Sequence, residues 1–143
     1  MPYSYLDDIT IADAAFEARG YDLPSLFAAA AEATMKLMVD PLEAIENKRE
    51  RQLRLTENEV DILLFQFLQE LIYYKDAEDL LLRVSDIDIS RTDDFYQLTA
   101  RAWGEYRDPV RHRLKVDVKA VTLHRFGVEK TEDGWKATVV LDI

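Results

Sequence analysis

The stretch from Val60 to Ile72 constrains this chain more than any other. Val60, Leu63, Leu64, Phe67, Leu68, Leu71 and Ile72 recur at i, i+3, i+4 and i+7. That period turns one stripe of an α-helix toward a core through about four turns. A stripe of that length has to be covered by another layer. Thr56 and Glu59 stand at capping-box spacing, so the helix is expected to start beside them. A second helix follows from Asp22 as cap and Pro24 in the first turn, where proline's missing donor costs nothing. Leu23, Leu26, Phe27, Ala30, Ala33, Leu37 and Met38 form its apolar face, and the helix should end near Asp40-Pro41. The small residues Ala28 to Ala31 predict close approach to a sheet.

The covering layer is legible as period-2 alternation. Ala14 to Arg19, Arg51 to Leu55, Leu80 to Ile89 and Phe95 to Trp103 read as strands, with Thr92-Asp93-Asp94 as the turn joining the last two. Leu114, Val116, Val118 and Ala120 share one parity, and Val121 and Leu123 take the other, which predicts a bulge near Ala120 with Lys119 pointing away from the core. Glu132-Asp133-Gly134 is a second turn, after which Trp135, Ala137, Val139, Leu141 and Ile143 alternate inward. The order of strand pair, helix, strand, helix and four strands predicts one α+β domain over residues 1–143, two helices packed on largely antiparallel sheet.

Composition removes several kinds of chemistry. There is no cysteine, so disulfides, thiolate metal sites and cysteine nucleophiles are out. The net charge of −10 argues against a surface that grips nucleic-acid phosphates throughout. The sequence shows no signal-peptide pattern at Met1 to Tyr5, and runs such as Phe27 to Ala31 fall far short of the roughly 20 apolar residues that span a bilayer. A cytoplasmic protein without membrane contact is expected. No Ser-His-Asp order, P-loop, dinucleotide fingerprint or nucleophile elbow is present, so a self-sufficient hydrolase, kinase or dehydrogenase has no support.

The remaining candidates are mostly acidic. Strand alternation sets Asp142 on the face opposite Leu141 and Ile143, one residue from the Ile143 α-carboxylate. Oxygen donors so placed suit a hard divalent cation if another acid joins them, and a solvated chain end is the plainer reading. Asp7, Asp8 and Asp13 cluster near the other end of the chain. Asp13 matters only if the first and last strands are neighbours; otherwise it is a turn residue. His112 and His124 have no partners at metal-ligand spacing and read as surface or hydrogen-bonded histidines. Arg101, Arg107, Arg111, Arg113, Lys115 and Lys119 concentrate positive charge, yet Glu105, Asp108 and Asp117 are interleaved, so RNA contact and a charge-balanced face both remain open.

Taken in order, several segments resemble the archease family. They are Thr10-Ile11-Ala12-Asp13, the helical run from Leu63 to Leu71, Gly104-Glu105 with Asp108 and His112, Lys119-Ala120-Val121-Thr122-Leu123-His124, and the closing Leu141-Asp142-Ile143. The chain departs from the family where His-Thr-Ala-Asp is usual before the acid, and in having Leu123 in place of an aromatic residue. The resemblance implies an activator of an RtcB-type GTP-dependent RNA ligase in tRNA splicing and RNA repair, promoting ligase guanylylation and multiple turnover. tRNA would be met indirectly, through the ligase. It also implies a divalent cation, calcium with magnesium or manganese as alternatives, held by Asp13, Asp142 and Ile143, with Lys119 and His124 in activation or partner contact. A second role suggested for the family is chaperone or specificity modulator of a tRNA-modifying enzyme such as a tRNA methyltransferase.

Overall fold

The computed structural model describes residues 2–6 and 13–143. Its elements run β1 (Tyr3–Leu6), β2 (Asp13–Gly20), α1 (Leu23–Met38), a short 3-10 turn (Leu42–Ala44), β3 (Arg49–Glu57), α2 (Val60–Glu78), β4 (Leu80–Arg91), β5 (Tyr96–Tyr106), β6 (Ala120–Lys130) and β7 (Trp135–Asp142). This is the predicted α+β order. The strands divide into two antiparallel sheets, one ordered β1-β2-β7-β6 and one ordered β3-β5-β4. Each helix touches both sheets, so strands and helices share one apolar core. Among the described residues no helix is long and apolar enough to cross a membrane.

The helix α1 begins as its sequence dictates. The Asp22 carboxylate accepts the Ser25 amide at 2.8 Å, satisfying one of the donors a helix start leaves open. Ala29, Ala30, Ala31 and Ala33 are all buried, which is the close approach that small side chains permit. The core centres on contacts such as Phe27 against Phe67, ring centroids 5.5 Å apart, with both rings fully buried.

The start of α2 differs from expectation. Glu59 is the cap residue and makes no side-chain cap hydrogen bond, because Thr56 is still paired in β3, opposite Gln97. Strand pairing has taken the residue that the local pattern offered to the helix. The bulge near Ala120 is also displaced. The β6–β7 ladder is regular from Ala120 to Thr122 and breaks between Thr122 and Gly127. Leu123 therefore leaves the ladder and is 64% exposed instead of packing inward. Leu114 and Val116 are exposed too, because residues 107–119 form a connector between the sheets and not a strand.

That connector is fixed by backbone bonds to the end of α1. The Lys115 and Val116 amides donate to the carbonyls of Met38 and Leu37, at 2.8 and 3.1 Å, filling acceptors that a helix C-terminus leaves open. Beyond it, α2 covers the outer edge of β6. Gln69 accepts the Val121 amide at 2.8 Å, and Asp61 accepts the Val128 amide at 3.2 Å. These side chains protect an edge strand that would otherwise invite pairing.

Candidate metal and partner-contact site

The strand that Asp13 opens, β2, and the last strand, β7, are neighbours. In the β2–β7 pair Asp13 stands directly opposite Asp142, and in the β6–β7 pair Ala120 stands opposite Asp142 from the other side. Directly opposed residues of antiparallel strands share a face, with Cβ atoms about 4.5–5.5 Å apart. Asp13 and Asp142 are therefore brought together on one face, and both are half-buried. Two residues further along each strand, Ala15 faces Val140 and both are 1% exposed, so the acids sit at the rim of a dry apolar row. Asp7 and Asp8 lie outside the described residues, as do Thr10 to Ala12.

Lys119 is attached to the same strand end. Its amide donates to the Asp142 carbonyl at 2.8 Å, and its side chain is exposed. Ile143 follows Asp142 and packs partly against the core. His124 is exposed within the break of the β6 ladder, on a strand that runs away from Asp142, so register does not carry it to the acidic pair.

Two like charges facing each other across a ladder repel. The donor set is purely oxygen, which fits a hard divalent cation and not a soft one. Among the described residues no three His, Cys, Asp or Glu side chains gather closely enough to hold a metal by themselves. A cation here would need oxygen from outside that set.

The second segment of interest forms a buried lock. Gly104 packs so tightly that a Cβ would overlap the Leu81 carbonyl oxygen, which only glycine allows. Next to it the Glu105 carboxylate is 4% exposed and takes contacts from Arg111, from Lys48 at 3.7 Å and from the Glu46 amide. The His112 Nδ1 accepts the Asp108 amide at 2.9 Å, leaving Nε2 to donate to Glu105 at 3.1 Å. Burial, with the Arg111 charge beside it, lowers the pKa of this histidine below the usual imidazole value and favours the neutral form. Glu105 and His112 thus pin the start of the connector.

Four of the six basic residues in the local concentration are engaged by carboxylates. Arg101 is paired with Glu50 at 3.2 Å, Arg107 with Asp79, Arg111 with Glu105 and Lys115 with Asp40 at 3.8 Å. Sequence reasoning missed Lys75. It stands seven residues after Leu68 and four after Leu71, inside the apolar stripe, and that placement was the available signal.

Fold and site together define a small two-helix α+β domain whose acidic residues and one lysine meet at the end of its last strand. The archease protein family (MTH1598/TM1083) model matches residues 3–143. The archease of Pyrococcus abyssi is 36% identical over 133 residues, covering 92% of this chain and 93% of that one. The archease of Methanosarcina barkeri is 34% identical over 142 residues, covering 99% and 95%. The solution structure of protein 1598 from Methanobacterium thermoautotrophicum superposes with a TM-score of 0.85 at 32% identity, covering 99% of each chain. The crystal structure of a Thermotoga maritima archease, described as a possible chaperone, shares the fold with a TM-score of 0.60 at 19% identity. The chain belongs to the archease family.

Proposed function

We propose that this protein is an accessory activator of an RtcB-type GTP-dependent RNA ligase, working in the cytoplasm in tRNA splicing and RNA repair and raising ligase guanylylation and turnover. The observation that carries the reading is the register of Asp13 against Asp142, with the Lys119 amide on the Asp142 carbonyl. It concentrates two acids and an exposed lysine at one strand end, the kind of tip that can enter a nucleotide pocket. Asp13 and Asp142, with the Ile143 α-carboxylate, would hold a divalent cation, calcium first and magnesium or manganese next. Such an ion supplies positive charge that offsets the paired acids and attracts phosphate oxygens.

The chain's own residues do the remainder. β2 and β7 hold the two carboxylates at fixed spacing, and the neighbouring buried row of Ala15 and Val140 keeps their setting rigid. Lys119 presents an ammonium to a phosphate or to an acidic residue of the partner. The acidic surface, net −10, complements a ligase with a basic RNA channel. His124 would contribute partner contact away from the acidic pair.

Following labelled GTP transfer to the cognate ligase tests this: addition of the protein should raise the initial rate and allow many ligations per ligase. A second reading is a chaperone or specificity modulator of a tRNA methyltransferase, favoured by the description of the Thermotoga maritima relative as a possible chaperone. It predicts suppression of methyltransferase aggregation, by light scattering, that persists in Asp142→Asn.

A further inference from the structure

The ammonium of Lys75 is buried, at 2% exposure, near the end of α2. An ammonium has three donors and no acceptor, and leaving any of them unmatched in the interior is costly. Here all three have partners: the Val118 carbonyl at 2.7 Å, the Asp76 carboxylate at 2.7 Å and the Asp117 carboxylate. Asp76 belongs to the same helix. The other two acceptors belong to the connector, immediately before Lys119. An apolar residue would fill the same volume, but an ammonium with three directed bonds allows one placement of the segment it holds.

The consequence runs outward along the chain. Lys75 fixes Asp117 and the Val118 carbonyl, and the Val118 side chain is itself fully buried. The next residue is Lys119, whose amide bonds the Asp142 carbonyl. Ala120 then enters the ladder opposite Asp142. Four contiguous residues are thus tied down, Asp117 and Val118 to α2 and then Lys119 and Ala120 to the last strand. We propose that Lys75 is a positioning residue: by clamping Asp117 and Val118 it sets the spacing between the Lys119 ammonium and the acidic pair. The proposal rests on the reading of Lys119 as an activation residue.

A double-mutant cycle separates this from a role in stability alone. Lys75→Met should lower the maximal rate of ligase guanylylation about tenfold at saturating protein, with the half-saturating concentration changed by less than about twofold. A partly unfolded preparation would instead raise the half-saturating concentration. In the Lys119→Ala background the same change should add less than about twofold, because its route of action is already gone. An equal factor in both backgrounds overturns the proposal. Amide hydrogen exchange gives a readout independent of the ligase: the Lys119 amide should exchange at least about tenfold faster in Lys75→Met, while β4–β5 amides keep their protection. Unchanged Lys119 protection overturns the positioning role. Should Lys75→Met fail to fold, Asp117→Ala carries both measurements, because the Asp117 side chain is 60% exposed and its loss leaves Lys75 two acceptors. If Lys119→Ala alone leaves guanylylation unchanged, the reading of Lys119 as an activation residue fails, and the exchange result still decides whether Lys75 places Lys119.

Discussion

Asp13 and Asp142 face each other across the β2–β7 pair, although 128 residues of chain separate them. Opposed like charges cost about 0.2–1 kcal/mol when nothing offsets them. Asp142→Asn should therefore leave stability unchanged or raise it by up to about that amount in a chelator-containing buffer. Added calcium should raise the thermal midpoint of the wild type and not that of the variant, because ligand binding to the folded state alone is stabilising. A differential scan with and without calcium reads both effects.

The chain end supplies its own test. Extending the chain by two glycines after Ile143 moves the α-carboxylate and spares every side chain. Stimulation of ligase guanylylation should fall by at least about tenfold, the effect expected when a directly contacting group is displaced. Full stimulation by the extended protein would remove the α-carboxylate from the site.

The buried imidazole of His112 makes stability depend on pH. Its pKa is lowered in the folded state, so below the unfolded value of about 6.5 the unfolded chain binds the proton more readily. Stability should be fully present above that pH and be lost as pH falls through the lower, folded-state pKa. Urea midpoints of the wild type should decline across this window, and His112→Gln should flatten that segment of the curve while lowering the midpoint throughout.

Phe67 is fully buried against Phe27, and the stripe that announced α2 depends on it. Phe67→Ala should cost about 3–5 kcal/mol in urea unfolding. Gly104→Ala should cost at least about 3 kcal/mol, because the added methyl meets the Leu81 backbone and not a movable side chain.

Much of this architecture could be read from the sequence, and the failures share a cause. The stripe of α2, the cap at Asp22 and the face assigned to Asp142 are local properties, and local periodicity reports them. Thr56 was misread because its strand runs on to Glu57, which is decided by pairing with β5. Leu123 was misread because parity assumes an unbroken ladder, and β6 breaks directly after Thr122. The meeting of Asp13 and Asp142 lay beyond any local signal, since strand adjacency is a property of topology. Lys75 was visible as a lysine inside an apolar stripe, but its three acceptors come into view only with the connector in place.

Pairing also bears on RNA. With Arg101, Arg107, Arg111 and Lys115 each engaged by a carboxylate, the isolated protein should bind tRNA weakly even at low salt. Filter binding at about 50 mM salt is the check; submicromolar affinity with steep salt dependence would show that these cations are available to phosphate after all.

The central claim is that the Asp13–Asp142 strand end activates the ligase, and the initial rate of labelled GTP transfer to the cognate ligase tests it most directly. The wild type should accelerate transfer, and Asp142→Asn, folded by circular dichroism, should lose at least about tenfold of that acceleration. Acceleration by Asp142→Asn equal to that of the wild type would contradict the account.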